Sequence, residues 1–105
     1  MTTFADLLSQ DTPVFLDGAT GSQLQKRGMP TGVCPELWIM EHPDVFTHLV
    51  EEYMEAGSQI IYAPTFTANR VKLDEYGLGD RIHEINQTLV SITRNAAREN
   101  VLVAA

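Results

Sequence analysis

Only one cysteine, Cys34, stands in these 105 residues. A lone thiol cannot close an internal disulfide, and no CxxC or HxxxH companion offers the further ligands that a metal site within the chain would need. Basic residues are scarce too: seven Lys and Arg face fourteen Asp and Glu, for a formal net charge of −7. That leaves no basic face for the phosphates of a nucleic acid and no polybasic segment for an anionic membrane surface. Long apolar runs are missing. The opening "MTTFADLLSQD" has neither a positive n-region nor an extended hydrophobic stretch, so the expectation is a cytoplasmic chain without a signal peptide or membrane span. Repeats, low-complexity tracts and linkers are absent as well, and 44% apolar with 20% charged residues suits one ordinary globular unit.

What the chain does have is an alternation of short apolar runs with longer amphipathic stretches, the pattern of βαβ units. A short helix is expected from Thr3 to Ser9. Strands are expected over Val14 to Asp17, Ser58 to Pro64 and Val101 to Ala105, none with clean alternation, as for strands buried on both faces. Between the first two lies "HPDVFTHLVEEYMEAG". Pro43 suits its first turn, Asp44 the positive end of its dipole and Gly57 its C-terminal cap, with Val45, Leu49, Val50, Tyr53 and Met54 as the buried stripe. Then "TANRVKLDEYG" reads as a short helix capped by Thr67 and closed by Gly77. A longer helix follows, with Asp80 as N-cap and Ile82, Ile85, Leu89, Ile92 and Ala96 on one face. The order β-α-β-α-β with connections of this length implies parallel strands, in either a doubly wound sheet or part of a (β/α)8 barrel.

The stretch "PVFLDGATGSQL" means different things in the two architectures. A dinucleotide-binding turn needs a third glycine, where this chain has Leu24, and an acidic residue about 20 positions on, where it has the turn-rich "MPTGVCPELW". In a barrel, functional residues lie at the C-terminal ends of the strands. Asp17 and Gly18 would end strand one, and Thr65 and Phe66 strand two. A carboxylate, backbone N–H groups freed by glycine, a hydroxyl and an aromatic ring around one cavity suit a small zwitterion such as an amino acid. The plainer alternative makes Asp17 and Gly18 an ordinary turn and Thr65 a helix cap.

Four blocks in register carry a resemblance: "LDGATGSQLQKRG", "CPELW", "HPDVFTHLVEEYMEAGSQIIYAPTFTANRVKLDEYGL" and "RIHEINQTLVSITRNAAREN". Together, from about Val14 to Ala105, they resemble the start of the homocysteine S-methyltransferase domain, and within that family most closely the homocysteine-binding barrel of the cobalamin-dependent methionine synthase type. The resemblance implies the first β-α-β-α-β portion of a (β/α)8 TIM barrel, incomplete in this chain, since a closed barrel takes roughly 250 residues. It also implies that homocysteine binds near a zinc ion that acidifies its thiol, so that the thiolate takes a methyl group from methylcobalamin. Other domains or partner proteins, binding cobalamin and methyltetrahydrofolate, would recharge that carrier.

By the same resemblance Asp17 receives the substrate ammonium, the backbone of Gly18, Ala19 and Thr20 lines its amino-acid end, and Thr65 with Phe66 shapes the pocket. "APTF" departs at Ala63 and Pro64 from the "TNTF" common in the family, so no amide side chain is available there. The family's zinc ligands are cysteines of later strands, and none of those positions lies in these residues. Cys34 reads as a packed or free thiol at a helix start, His42, His48 and His83 as solvated or capping residues, and Glu51, Glu52 and Glu55 as a wet helix face. Two further readings stand beside the methyltransferase piece: a self-associating α/β module that binds or builds, and a small nucleotide-binding α/β enzyme. The unclosed sheet, whose "VLVAA" ends without a covering helix, leads to the expectation of self-association.

Overall fold

The computed structural model describes residues 2–105. Helix α1 (Phe4–Leu8) starts where sequence expects it, because Thr3 and Asp6 each satisfy the other's backbone N–H in a capping box. Helices α2 (Gly21–Lys26), α3 (Pro35–Glu41) and α4 (Pro43–Glu55) then precede strand β1 (Ile60–Tyr62). After it come α5 (Arg70–Asp74), a single 3-10 turn (Gly79–Arg81), α6 (Ile82–Ala96) and strand β2 (Leu102–Ala104). The chain is α/β with parallel strands: β1 pairs with β2 in the register Ile60↔Leu102, Ile61↔Val103 and Tyr62↔Ala104. Among the described residues no helix is long and apolar enough to cross a membrane.

The expected first strand is shorter than the sequence suggests. Val14 to Asp17 is extended but forms a single parallel bridge, Leu16↔Ile60, rather than a strand. The N–H of Ile60 reaches the Phe15 carbonyl and the N–H of Asp17 reaches the Ile60 carbonyl, at 3.4 and 3.1 Å. The next N–H along β1, that of Tyr62, would extend a parallel ladder to the Asp17 carbonyl. It donates instead to the Asp17 carboxylate, at 3.2 Å, and the ladder stops. The other two strands are likewise confined to the middle of the apolar runs that predict them.

Caps explain the other corrections. Asn69, not Thr67, caps α5, its side chain accepting from the Lys72 N–H, while Thr67 is turned to another partner described below. Asp80 lies inside the 3-10 turn and does not cap α6, which begins at Ile82. Gly57 and Gly77 do end their helical segments, at φ of +112° and +72°, angles that a residue with a Cβ adopts only under strain.

The core lies between the strands and α3, α4 and α6, with α6 packed on both α3 and α4. Ile61, Ile85 and Leu89 are fully buried there. On α4 the buried residues are Phe46, Leu49, Val50 and Met54, whereas Val45 and Tyr53, expected inside, are half-buried. Phe46 escapes a stripe drawn from Val45 because the apolar arc is one position wider than that drawing allows. At the opposite end of the strands, the segment that follows α1 is tied to the residue before β1 by a reciprocal amide pair. Gln10 Nε2 donates to Gln59 Oε1 and Gln59 Nε2 to Gln10 Oε1, both at 3.1 Å.

Apolar surface remains outside this core: Phe15, Leu16 and Tyr62 are exposed beside the sheet, and among the described residues the outer edge of β2 has no strand partner. Studied as this 105-residue chain, the protein is expected to self-associate through that edge. Sedimentation equilibrium at micromolar concentration should show a dimer or larger species; a folded, strictly monomeric chain would show that it covers its own edges.

Candidate functional site

The site is built where β1 and the Leu16 segment end. Their parallel bridge brings Asp17 beside Tyr62, and the following turn, Gly18 to Thr20, leads into α2. A tyrosine from α4 fixes that turn: the Tyr53 hydroxyl donates to the Ala19 carbonyl at 2.7 Å. The approach is close enough that a Cβ on Gly18 would lie 3.0 Å from the Tyr53 hydroxyl oxygen, so glycine is the residue that fits. Among the described residues the backbone N–H groups of Gly18, Ala19 and Thr20 donate no hydrogen bond, which leaves a short row of donors beside a carboxylate.

A cavity of about 290 Å³ opens next to this turn, lined by Thr20, Gly21, Leu24, Glu36, Ile39, Tyr62 and Phe66 among others. Of the residues picked from sequence, Thr20 and Phe66 line it. Phe66 stands at its mouth, 96% exposed. Asp17, Gly18, Ala19 and Thr65 are not in the lining; Asp17 adjoins it through Tyr62, and Thr65 holds the loop after β1, its carbonyl accepting from the Ala68 N–H. Thr65 therefore lies on the loop beyond the end of β1 and does not cap α5. Leu24, where a nucleotide-binding turn would need glycine, is fully buried against the core, so the turn offers no close approach for a pyrophosphate.

Sequence reasoning missed Tyr53, Glu36 and Thr67. Tyr53 read as one more apolar position on α4, and nothing in its spacing shows that its hydroxyl reaches across to Ala19. Glu36 is 3% exposed, a carboxylate inside the core. Its Oε1 accepts from the Thr67 hydroxyl and its Oε2 from the Cys34 thiol, the latter at 3.5 Å. Cys34 is buried, as expected for a packed thiol, and burial, with the adjacent Glu36 charge adding to it, pushes its pKa up, away from the reactive thiolate. His42 joins α3 to α4, its ring stacked on Trp38 at 4.1 Å between centroids; His48 and His83 are exposed. Glu51 and Glu55 are solvated, while Glu52 pairs with Arg27 across to α2.

Burial raises the Asp17 carboxyl above its ordinary range, and the Tyr62 N–H only partly offsets this. A carboxyl raised in the folded state binds its proton more tightly there than when unfolded. Its contribution to stability is therefore largest below the unfolded pKa, near 4, and falls as pH rises through the folded value. Asp17→Asn keeps an oxygen for the Tyr62 N–H and removes the charge. Denaturant titrations of this variant should show stability equal to or above that of the parent at pH 7, with the gap closing toward pH 4; a marked loss at pH 7 would show that the charge itself holds the turn.

The fold and the sequence both have counterparts among known proteins. Residues 14–105 match the family model for homocysteine S-methyltransferase. The chain is 35% identical over 106 residues to methionine synthase of Mycobacterium tuberculosis, covering 93% of this chain and 9% of that protein. It is 33% identical over 91 residues to methionine synthase of Mycobacterium leprae, covering 79% of this chain and 7% of that protein. The chain thus spans less than a tenth of the length of these curated relatives. Its fold superimposes with a TM-score of 0.76 on the homocysteine methyltransferase MmuM from Escherichia coli in its metallated form, at 24% identity, covering 96% of this chain and 39% of that one. A parallel α/β scaffold with an acidic turn beside a small cavity, matched over nearly its whole length by the family model, places this chain in the homocysteine S-methyltransferase family.

Proposed function

We propose that this chain is the first part of a (β/α)8 barrel that binds homocysteine and, in the intact protein, transfers a methyl group to its thiol to give methionine. The observation that carries this reading is the Asp17 carboxylate followed by Gly18, Ala19 and Thr20, whose N–H groups donate no hydrogen bond among the described residues, in a turn that reaches the cavity at Thr20. Opposite charges of an amino acid fit that pair of features: the ammonium on Asp17, the carboxylate on the N–H row. The thiol-bearing side chain then extends past Thr20 and Tyr62, with Thr65 and Phe66 shaping the loop at the mouth. Methionine synthases at 35% and 33% identity support methionine as the product; the resemblance of the sequence blocks is what supports methylcobalamin as the donor, with cobalamin- and methyltetrahydrofolate-binding domains or proteins as partners.

Zinc, which the family resemblance also implies, does not fit the residues present. Among the described residues no group of three His, Cys, Asp or Glu side chains could hold a metal. The one cysteine is engaged with Glu36. The zinc ligands would come from elsewhere in the barrel.

Two measurements test the proposal. In the intact protein, Asp17→Asn should weaken homocysteine binding by about 1.5–3 kcal/mol, the range for a hydrogen bond to a charged group, while unfolding stays cooperative; unchanged affinity would reduce Asp17 to a turn residue. Equilibrium dialysis of the 105-residue chain should find no stoichiometric zinc. Tight binding that vanishes in Cys34→Ser would overturn the assignment of the ligands to other residues.

A further inference from the structure

Glu36 is a buried carboxylate that the proposed chemistry does not use. Among the described residues none of the ion pairs includes it, and its two oxygens accept instead from the Thr67 hydroxyl and the Cys34 thiol. Those donors come from opposite sides. Cys34 precedes α3, whereas Thr67 lies on the loop after β1 that also carries Thr65 and Phe66. Burying a carboxylate without a cation is costly, and a lone stability role is a poor reason to keep one.

Its location suggests a better reason. A second cavity of about 290 Å³ lies behind the first, lined by Met29, Val33, Cys34, Leu73 and Tyr76 among others. Pro35, Glu36 and Thr67 line both. The Glu36–Thr67 hydrogen bond therefore stands in the wall between them. We propose that Glu36 is a positioning residue: it straps the 65–67 loop to the start of α3 and closes the back of the substrate cavity, so that the pocket takes a short amino-acid side chain and rejects a longer one. The limit on side-chain length rests on the homocysteine reading; the strap does not.

Thr67→Val removes the hydroxyl at nearly constant shape, and Thr67→Ser restores it. In the 105-residue chain, Thr67→Val should speed labelling of Cys34 by an aromatic disulfide, and amide exchange of Ala68, by about tenfold, the ratio corresponding to loss of one such hydrogen bond. Thr67→Ser should keep both near the parental rates, and Glu36→Gln, which keeps one acceptor oxygen, should fall between. In the intact protein, Thr67→Val should narrow the preference for homocysteine over its homologue with one more methylene by about tenfold, a change that general loosening, which weakens both ligands alike, would not produce.

Parental labelling and exchange rates in a folded Thr67→Val variant would overturn the strap. Faster labelling with an unchanged ligand preference would overturn the cavity wall. If labelling responds as expected while the intact parent binds neither amino acid, the strap is supported and the homocysteine reading fails.

Discussion

The site depends on one backbone N–H, that of Tyr62. In a continuing parallel ladder it would belong to the Asp17 carbonyl; the Asp17 carboxylate takes it instead. That exchange ends the pairing of the first segment after a single bridge and frees the chain to leave the sheet at Gly18. The turn that follows is then pinned to α4 by the Tyr53 hydroxyl. A carboxylate and, among the described residues, undonated backbone N–H groups share one turn because a side chain competes with its own main chain.

Helix α4 was legible at both ends and α6 along its face, because proline, glycine and a 3.6-residue apolar period act locally. The turn at Asp17 was legible too, through the sharp stop of an apolar run at an acidic residue. Other features depend on distant partners. Thr67 has the composition of a cap, yet its hydroxyl is drawn to Glu36, 31 positions away, and Asn69 takes the cap. Asp80 loses the cap for a local reason, an extra 3-10 turn ahead of α6. The buried state of Glu36 had no local signature, since a glutamate in the first turn of a helix is ordinarily a solvated residue favoured by the dipole.

Family resemblance and physical reading are complementary here. The matched blocks named Asp17, Gly18 and Thr20 as one group, and the geometry supplies a reason for each: an acceptor that diverts a strand, a glycine that a tyrosine crowds, and a threonine at the cavity wall. Glu36 stands out only in the folded molecule. The motif contained it as one letter of "CPELW", and only the two cavities on either side of it show where it stands.

The reciprocal amide pair of Gln10 and Gln59 has a consequence for how the molecule responds to its surroundings. This chain carries a net charge of −7, and its ion pairs lie at the surface, where added salt screens them. The two glutamine amides carry no charge and do not titrate. The clasp that ties the segment after α1 to the residue before β1 therefore keeps its strength across ionic strengths and acidities that weaken the surface pairs. The N-terminal end of the sheet is thereby insulated from the electrostatics at the Asp17 end.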